Sequence, residues 1–424
     1  MLVIRAVKIL WVKSGGLLPL DHGGRIRSFQ LAKILAQVHE VSLFTFYQPV
    51  PNDPHTELRN VFSRVLCVPL EVPAQGSPTE YAAYAKNLLS SRPYSVAKYC
   101  QPHVARQLRE HLKQESYDLI VCDFLLTAGV IPWDFPKPKV IFTHNIEAQI
   151  WERHFRIARN PVWKAACYRE FLTMRRMERD YLRRSDHVLA VSETDRDFFA
   201  GIVDRSKISV VPTGVDVDYF RPKPELEERN TLVFTGSMDW LANEDGIIYF
   251  MDKVLPIIRQ EVSDAKLWVV GRRPSSRLQR LAKNIFGVRL SGTVADIRPY
   301  MAKASVYVVP LLVGGGTRLK IFEAMAMGKA IVSTSIGAEG LPVVPGENIL
   351  LADTAEDFAR QVVALLRCQA RREDLGRLAR QLVERNYSWN SVGSDLSKTL
   401  TSLVSGFPPP DKPSTRLEPI HQNH

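Results

Sequence analysis

One segment of the chain, Val306–Thr334, reads VYVVPLLVGGGTRLKIFEAMAMGKAIVST. An apolar run ends in three glycines, a helical pattern follows, and a second apolar run begins after Gly328. A glycine loop that opens a helix presents unpaired backbone N–H groups at the positive end of the helix dipole, and such a place binds phosphate. The helix also carries one carboxylate, Glu323, which suits the hydroxyls of a ribose. The segment therefore predicts a nucleotide-sugar site between two strands.

Apolar runs and helical patterns alternate in the same way along most of the chain. The strands predicted in the first half are Val7–Val12, Val41–Phe46, Leu119–Phe124, Val140–His144, Val188–Ser192 and Ile208–Pro212. Those predicted in the second half are Leu232–Gly236, Lys266–Gly271, Val288–Ser291, Val306–Leu312, Ala330–Thr334 and Ile349–Leu351. Helical patterns lie between them, for example Arg25–Gln37. Such alternation is typical of parallel sheets covered on both faces, and two of them predict two Rossmann-like domains.

The domain boundary is expected within Thr213–Asn230, where prolines and a polar run punctuate the chain. A length of 424 residues is sufficient for two α/β domains, each with its own core. We assign 1–213 to the first domain, 214–387 to the second and 388–405 to a last helix. The proline-rich end, 406–424, has little apolar content and is expected to be disordered.

Composition excludes several classes of protein. The five cysteines form no CxxC pair, which argues against zinc and disulfide frameworks and fits a reducing cytoplasm. No apolar run approaches the roughly 18 residues that a membrane span requires. The first residues, MLVIRAVKILWV, resemble a short signal peptide but lack a cleavage site, so we expect them to continue into the fold.

The net charge of +11 is concentrated in one stretch. The segment Trp151–Arg184 holds ten lysines or arginines against four acidic residues, a net charge of +6, and aromatic side chains alternate with the cations. This mixture suits an anionic membrane surface. It also suits a solvated helix face with a few aromatics turned to the core, and the sequence leaves both interpretations open. Nucleic acid is disfavoured as a partner because no RNA- or DNA-binding motif accompanies the charge.

Five blocks of the chain, in this order and spacing, resemble the retaining glycosyltransferases of family 4, also called group 1. The blocks are DHGGRIRS (Asp21–Ser28), HNIE (His144–Glu147), VPTGVDVDYFRP (Val211–Pro222), FTGSMDWLANEDG (Phe234–Gly246) and the donor segment Gly314–Gly328. The resemblance covers nearly the whole chain. It implies the GT-B architecture, an α/β fold in which two Rossmann-like domains face each other across a cleft and the final helix crosses back onto the first domain. The subgroup that the chain resembles most is that of bacterial exopolysaccharide-type sugar transferases.

The resemblance also implies a reaction, the transfer of a sugar from a nucleotide-diphosphate sugar to a lipid-linked or polysaccharide acceptor, with retention at the anomeric carbon. No cofactor and no metal are expected, because arginine and lysine replace the metal. The expected location is cytoplasmic, peripheral on the inner face of the cell membrane. Two alternatives remain open: a nucleotide-sugar epimerase on the same fold, and a non-catalytic scaffold at the membrane.

Each part of the donor needs its own partner. Glu323 matches the family glutamate that accepts hydrogen bonds from both ribose hydroxyls. A second family glutamate, eight residues earlier, contacts the donor sugar, and Gly315 replaces it here. We expect the backbone N–H groups of Gly315, Gly316 and Thr317 to bind the sugar or the phosphates instead.

The leaving diphosphate needs cations, because it gains negative charge. Family members commonly carry an arginine and a lysine after the first strand of the second domain, but this chain has Ser237–Trp240 there, directly after Gly236. We expect Arg318 to contact the phosphate, with Lys320 as a second cation and Arg272 as a further candidate near the nucleotide. Gly236 is included among the donor-binding residues.

The first domain supplies the opposite wall of the predicted cleft. Gly23 and Gly24 lie in its first strand–helix loop, where backbone can approach a phosphate, although an ordinary turn would use the same residues. His144 follows a buried strand, and the matching family histidine lies near the donor sugar and the reacting oxygens. The candidates on the acceptor side are Asp21, Asn145 and Glu147. Glu147 is also a candidate for orienting His144.

Overall fold

Two parallel sheets organise the protein. The computed structural model describes residues 6–20, 23–48, 53–74, 76–158, 160–313 and 319–407, and within these residues it contains thirteen strands. The first sheet consists of β1 (Lys8–Ser14), β2 (Glu40–Tyr47), β3 (Arg64–Pro69), β4 (Leu119–Asp123), β5 (Lys139–Phe142), β6 (His187–Ala190) and β7 (Ile208–Val210). The second sheet consists of β8 (Thr231–Thr235), β9 (Lys266–Val270), β10 (Val288–Leu290), β11 (Val306–Val309), β12 (Ile331–Ser333) and β13 (Leu350–Leu351). The strand orders are β3-β2-β1-β4-β5-β6-β7 and β10-β9-β8-β11-β12-β13.

Helices connect the strands and cover the sheets. The first half contains α1 (Gly23–Leu35), α2 (Pro78–Asn87), α3 (Tyr94–Ala97), α4 (Pro102–Gln114), α5 (Glu147–Ile157), α6 (Pro161–Arg184) and α7 (Glu193–Ala200). The second half contains α8 (Leu241–Tyr249), α9 (Leu255–Glu261), α10 (Ser276–Lys283), α11 (Arg298–Ala302), α12 (Leu319–Ala326), α13 (Ala355–Arg367), α14 (Gln369–Asn386) and α15 (Trp389–Gly406). Short 3-10 turns span Pro54–Asn60, Leu125–Thr127, Arg205–Lys207 and Pro224–Leu226, and a π-helical turn, Phe250–Val254, joins α8 to α9. Within the described ranges, no helix combines the length and the apolar character that crossing a bilayer demands.

The fold follows the predicted pattern, with one additional strand. All pairings between the strands of each sheet are parallel, which confirms two Rossmann-like domains. Each of the twelve predicted strands is present, with ends shifted by a few residues. The strand that the sequence did not predict is β3, whose residues RVLCVP are mostly exposed or half-buried. It lies at the edge of its sheet, where fewer side chains need to be apolar.

Burial explains why the apolar runs become strands. In β1, Ile9 and Trp11 pack into one core and Leu10 and Val12 into another, because successive side chains of a strand point to opposite faces. The first sheet is therefore covered on both sides. In the second domain, α12 buries Phe322 and its neighbours in the core and ends before Gly328, whose φ of +65° is readily adopted by glycine. The helix end expected at this glycine is confirmed.

The chain passes between the two domains twice, near Val215 and near Tyr387, and hydrogen bonds join these two segments. The backbone N–H of Val215 donates to the carbonyl of Tyr387 (2.8 Å), and the N–H of Trp389 donates to the carbonyl of Val215 (3.1 Å). The last helix, α15, then lies against the first domain, where Ser397 Oγ is 2.7 Å from His39 Nε2. The domain limits at 213 and 387 stay predictions, and the expected disordered tail lies outside the described residues beyond Phe407.

Candidate active site

A cleft cavity opens where the carboxyl ends of the two sheets face each other. It has a volume of about 300 Å³ and is lined from the first domain by residues after β5, β6 and β7, among them His144, Asn145 and Thr213. The second domain contributes Phe322 on α12 and the segment Glu339–Pro342. Loops at the carboxyl ends of parallel strands are the usual place for ligands in open α/β sheets. This cavity is therefore the candidate site, which we call the cleft cavity.

Glu323 is held in a desolvated position on α12. The adjacent Phe322 and Ala324 are buried in the core, while Glu323 retains some solvent-accessible surface. Burial raises the pKa of Glu323 to about 7, and the ammonium of Lys320 opposes that shift. A carboxylate in this setting gains from accepting hydrogen bonds, because water solvates it poorly. Two neighbouring hydroxyls of a ribose would supply such bonds.

Lys320 is on α12, three residues before Glu323, and its side chain reaches the end of β8. Its Nζ donates a hydrogen bond to Asn243 Oδ1 (2.6 Å) and lies 4.3 Å from the ring centroid of Phe234. A Cβ atom added at Gly236 would stand 2.7 Å from the same Nζ, so a larger residue at this position would require the lysine side chain to move. The structure thus brings together two of the predicted donor-binding residues, Gly236 and Lys320.

Arg272 joins the same group of residues from the end of β9. Its Nε donates to Ser237 Oγ (2.7 Å) and lies 3.5 Å from Asp239 Oδ2, and Ser237 Oγ donates to Asp239 Oδ1 (2.5 Å). Ser237 directly follows Gly236, so Lys320 and Arg272 contact neighbouring residues of the loop after β8. Two of the predicted cations therefore lie beside the loop that follows β8.

The remaining predictions on the donor side, together with Asp21 on the acceptor side, divide into two groups. Gly23 and Gly24 form the first turn of α1, and the Gly24 carbonyl accepts a hydrogen bond from Ser28 Oγ (2.9 Å). Five predicted residues lie outside the described residues: Asp21, Gly315, Gly316, Thr317 and Arg318. Their roles stay predictions.

His144 lines the cleft cavity and is fixed by a carboxylate behind it. Its Nε2 lies 2.8 Å from Asp123 Oδ1 at the end of β4, and its ring stacks on Phe124 with the centroids 4.0 Å apart. The other carboxylate oxygen, Oδ2, accepts a hydrogen bond from Trp11 Nε1 (2.8 Å) and lies 3.3 Å from Lys13 Nζ. Asp123, Lys13 and His144 are all almost fully buried.

The charges of this cluster determine the state of the histidine. Burial alone would raise the pKa of Asp123, but Lys13 and the hydrogen bond from His144 outweigh it and hold that pKa well below its usual range. Burial lowers the pKa of His144 despite the bond to Asp123, so the imidazole is neutral at physiological pH. A neutral ring that donates through Nε2 has an acceptor at Nδ1, and this buried Nδ1 has no hydrogen-bond partner among the described residues. A hydroxyl group of a ligand could reach this buried atom only if the surrounding side chains moved.

Sequence reasoning missed Asp123 and Lys13, and it chose the wrong carboxylate for orienting His144. Glu147 does not reach His144. Its backbone N–H donates to Glu178 Oε1 (2.9 Å), which places it at the start of α5. The available signal was a charged residue near the carboxyl end of each of two buried runs: Lys13 is the last but one residue of KILWVKS, and Asp123 is the last of LIVCD. The proposed contact of Glu147 with an acceptor stays a prediction.

Sequence reasoning also missed His55, which forms hydrogen bonds with the loop that follows β1. Its Nε2 accepts hydrogen bonds from the backbone N–H groups of Leu17 (2.9 Å) and Leu18 (3.2 Å), and its Nδ1 lies 2.7 Å from Asp53 Oδ1. The ring stacks on Tyr47 with the centroids 4.1 Å apart. Burial lowers the pKa of His55, so its unprotonated Nε2 remains available to both donors. The histidine thereby fixes the loop that leads to α1.

Comparisons with known proteins agree with the fold. The family model for glycosyl transferases group 1 matches residues 229–368, and the model for glycosyltransferase family 4 matches residues 23–219. The chain belongs to this glycosyltransferase family. The predicted membership is therefore confirmed.

Two relatives illustrate how far the similarity extends. An "uncharacterized 44.6 kDa protein in cps region" of Klebsiella pneumoniae is 23% identical over 92% of this chain and 99% of its own length. A phosphatidyl-myo-inositol mannosyltransferase of Mycolicibacterium smegmatis is 28% identical over 46% of this chain and 52% of its own length. The second match thus spans about half of each protein.

Solved structures share the GT-B fold. Sucrose-phosphate synthase from Thermosynechococcus elongatus superposes with a TM-score of 0.69 and 19% identity, over 94% of this chain and 99% of that protein. HepE of Anabaena in complex with UDP-glucose gives a TM-score of 0.61 and 16% identity, over 93% of this chain and 100% of that protein. The expected architecture, two Rossmann-like domains across a cleft, is confirmed.

Proposed function

We propose that this glycosyltransferase moves a sugar from a nucleotide-diphosphate sugar to a lipid-linked or polysaccharide acceptor, with retention at the anomeric carbon. The observation that carries the proposal is the group formed by Glu323, Lys320 and Gly236 at the carboxyl end of the second sheet. It combines a desolvated carboxylate for a ribose with a cation for a phosphate. Solved structures of HepE contain UDP and UDP-glucose, and relatives in Mycobacterium tuberculosis are named GDP-mannose-dependent mannosyltransferases, which supports a donor of this class.

The chemistry requires stabilisation of the leaving diphosphate. As the bond from the anomeric carbon to the diphosphate breaks, negative charge grows on the phosphate oxygens, and Lys320 and Arg272 are placed to offset it. A double displacement would need a carboxylate directly beneath the anomeric carbon, and the sequence offers no clear candidate. We therefore favour attack from the front face, in which the acceptor oxygen bonds to the anomeric carbon and its proton passes to the departing phosphate oxygen. Arginine and lysine supply the positive charge, so the proposal requires no metal.

His144 has a supporting role in this mechanism. Its neutral ring is oriented by Asp123, the residue lines the cleft cavity, and its buried Nδ1 is an acceptor without a hydrogen-bond partner among the described residues. A sugar hydroxyl that donates to Nδ1 would be fixed relative to the anomeric carbon. Positioning of this kind lowers the barrier because the reacting atoms are already oriented when the donor is bound.

The proposed acceptor is presented at a membrane surface, and exposed side chains of the first domain support this. The helical hairpin of α5 and α6 ends in exposed apolar side chains, with Val162 78% and Trp163 50% exposed. Leu89, which is 97% exposed, lies in a turn that Arg169 fixes to α6 by donating hydrogen bonds to the carbonyls of Asn87 and Ser90. Apolar side chains among many cations are suited to the interface of an anionic bilayer. These features support our proposal that the protein acts at the inner face of the cell membrane.

Donor binding can be tested by thermal shift with UDP-, GDP- and ADP-sugars. A ligand that binds the native state raises its melting temperature, so the cognate donor should give the largest shift. The shift should disappear in Glu323→Ala and persist in Glu356→Ala, a matched control because Glu356 is exposed on α13. Product analysis with an acceptor then separates transfer from epimerisation. If none of the nucleotide sugars raises the melting temperature, the proposed function is wrong.

Membrane binding has its own test. Sedimentation with anionic phosphatidylglycerol vesicles at low salt should carry down the wild-type protein but much less of Val162→Ser/Trp163→Ser. Phe286→Ser is the control, because Phe286 is 88% exposed in the second domain. If the wild-type protein stays in the supernatant, or if the control loses binding equally, the membrane surface is refuted.

A further inference from the structure

A second cavity adjoins the cleft cavity within the first domain. It has a volume of about 420 Å³, is open to solvent and is lined by side chains of α5, α6 and the α7 region, including Arg175, Arg179 and Phe198. Two residues, Gln149 and Phe198, line both cavities. A ligand bound in the second cavity could therefore extend past Phe198 into the cleft.

The uncompensated charge of this second cavity is positive. Arg175 and Arg179 are four residues apart on α6 and lie on one face of the helix. Throughout the part of the chain that the structure describes, no carboxylate forms an ion pair with either of them. Two carboxyl groups also line the cavity, Glu152 and Glu178, but neither neutralises the arginines.

Both carboxyl groups are accounted for by other interactions. Glu152 Oε1 accepts a hydrogen bond from Arg156 (2.6 Å). Glu178 accepts the backbone N–H of Glu147 at the start of α5, and burial raises the pKa of Glu178 to about 8, so this group is mostly protonated at neutral pH. An anion entering the cavity would thus meet two guanidinium groups that neither carboxyl group neutralises, because Glu152 is paired with Arg156 and Glu178 is mostly protonated.

The apolar part of the lining suggests the kind of anion. Phe171 and Ile202 line the cavity together with Phe198, and exposed Leu172 and Tyr168 continue along α6 toward the hairpin tip. This combination of two cations with a path of apolar side chains fits a phosphate that carries an apolar or sugar substituent. Paired arginines also bind phosphate in a forked geometry that a carboxamide or hydroxyl ligand would not require.

We propose that the second cavity binds the phosphate or diphosphate group of the acceptor, which Arg175 and Arg179 hold while the acceptor's sugar reaches the cleft past Phe198. The inference rests on the proposed glycosyl transfer and names the chemistry of its acceptor. The phosphate can belong to a lipid diphosphate or to a soluble sugar phosphate. The two sources share the same binding group, and the experiment distinguishes them.

Inorganic pyrophosphate is the first probe, titrated into the full-length protein by calorimetry. Arg175→Gln/Arg179→Gln should bind it at least tenfold more weakly than wild type. All four arginines are exposed, but Arg176 and Arg184 do not line the cavity, so Arg176→Gln/Arg184→Gln removes the same charge from α6 and should stay within twofold. If the double variant keeps wild-type affinity, if wild type binds no pyrophosphate, or if only Lys320→Gln weakens binding, the proposal is wrong.

Vesicles identify the source of the phosphate. Phosphatidylcholine vesicles with a few mole per cent of polyprenyl diphosphate are compared with vesicles of equal charge made with phosphatidylglycerol. Preferential binding to the former, lost in Arg175→Gln/Arg179→Gln, supports a lipid diphosphate. Equal binding to both, combined with pyrophosphate affinity that depends on the arginines, supports a soluble sugar phosphate.

The nucleotide-sugar melting shift separates this inference from the proposed function. The shift should be unchanged in Arg175→Gln/Arg179→Gln, because these residues lie away from the donor group. Absence of any shift in wild type would refute the proposed function, whereas a normal shift with arginine-independent pyrophosphate binding would refute only the acceptor site.

Discussion

The pH dependence of donor binding tests the role of Glu323. Burial raises the pKa of this carboxyl to about 7, so about a tenth of it is ionised at pH 6 and about nine tenths at pH 8. If only the carboxylate accepts both ribose hydroxyls, affinity for the nucleotide sugar should rise up to about tenfold between these pH values, or about 1.4 kcal/mol. The diphosphate of the donor is already ionised over this range and adds no slope. The neutral His144 adds none either, because burial lowers its pKa.

Glu323→Gln keeps an acceptor oxygen but cannot titrate, so its affinity should be weaker at pH 8 and nearly constant from pH 6 to 8. Calorimetry with the donor found in the thermal-shift panel measures both proteins. Glu356→Gln, which changes an exposed carboxylate of α13, should reproduce the wild-type curve. A flat wild-type profile, or a slope that survives in Glu323→Gln, would contradict the assigned role.

Three further predictions concern stability and are measured by urea unfolding of matched proteins. Asp123→Asn should cost about 3–5 kcal/mol, because Lys13 is left buried without its counter-charge, 3.3 Å away in the wild type; a loss below about 1 kcal/mol would contradict this. His55→Phe should cost about 1–3 kcal/mol, because two backbone N–H groups lose their acceptor; an unchanged unfolding midpoint would argue against that role. Burial lowers the pKa of His187 from 6.5 to about 4, so its contribution is complete above pH 6.5 and lost as the pH falls toward 4. Wild type should therefore lose about 1–3 kcal/mol more than His187→Gln over that range, and equal losses would refute the assignment.

Most of the fold was predictable because buried parallel strands appear in the sequence as continuous apolar runs. A strand such as β11, VYVV, is apolar at every position because both of its faces are covered. The edge strand β3 lacks that constraint, and for this reason it was missed. Helix limits followed similarly where glycine ended the pattern, as at Gly328.

The candidate site was only partly predictable, because its contacts join segments far apart in the chain. Glu323, Lys320 and Gly236 were identified from the sequence blocks, and in the structure Lys320 contacts Asn243 and Phe234 beside Gly236. The carboxylate behind His144 lies 21 residues earlier in the chain, and no local pattern connects the two. Pairing of this kind depends on the order of strands in the sheet, where β4 and β5 are neighbours, and not on spacing.

The function of the basic stretch in the first domain could also be predicted only in part. The basic stretch of α5 and α6 was visible in the sequence, but a membrane surface and a solvated helix face were equally consistent with it. Only the fold shows that Arg175 and Arg179 line a cavity while Trp163 lies at an exposed hairpin tip. The sequence shows how many charges the stretch carries, but not which of them line the cavity and which lie near the hairpin tip.

The most direct test of the central claim is a crystal structure of the protein with its nucleotide-sugar donor bound. The account predicts that the nucleotide lies between the two domains, with both ribose hydroxyls donating to Glu323 and the diphosphate within reach of Lys320 Nζ. A nucleotide bound outside the cleft, or a ribose that makes no contact with Glu323, would contradict it.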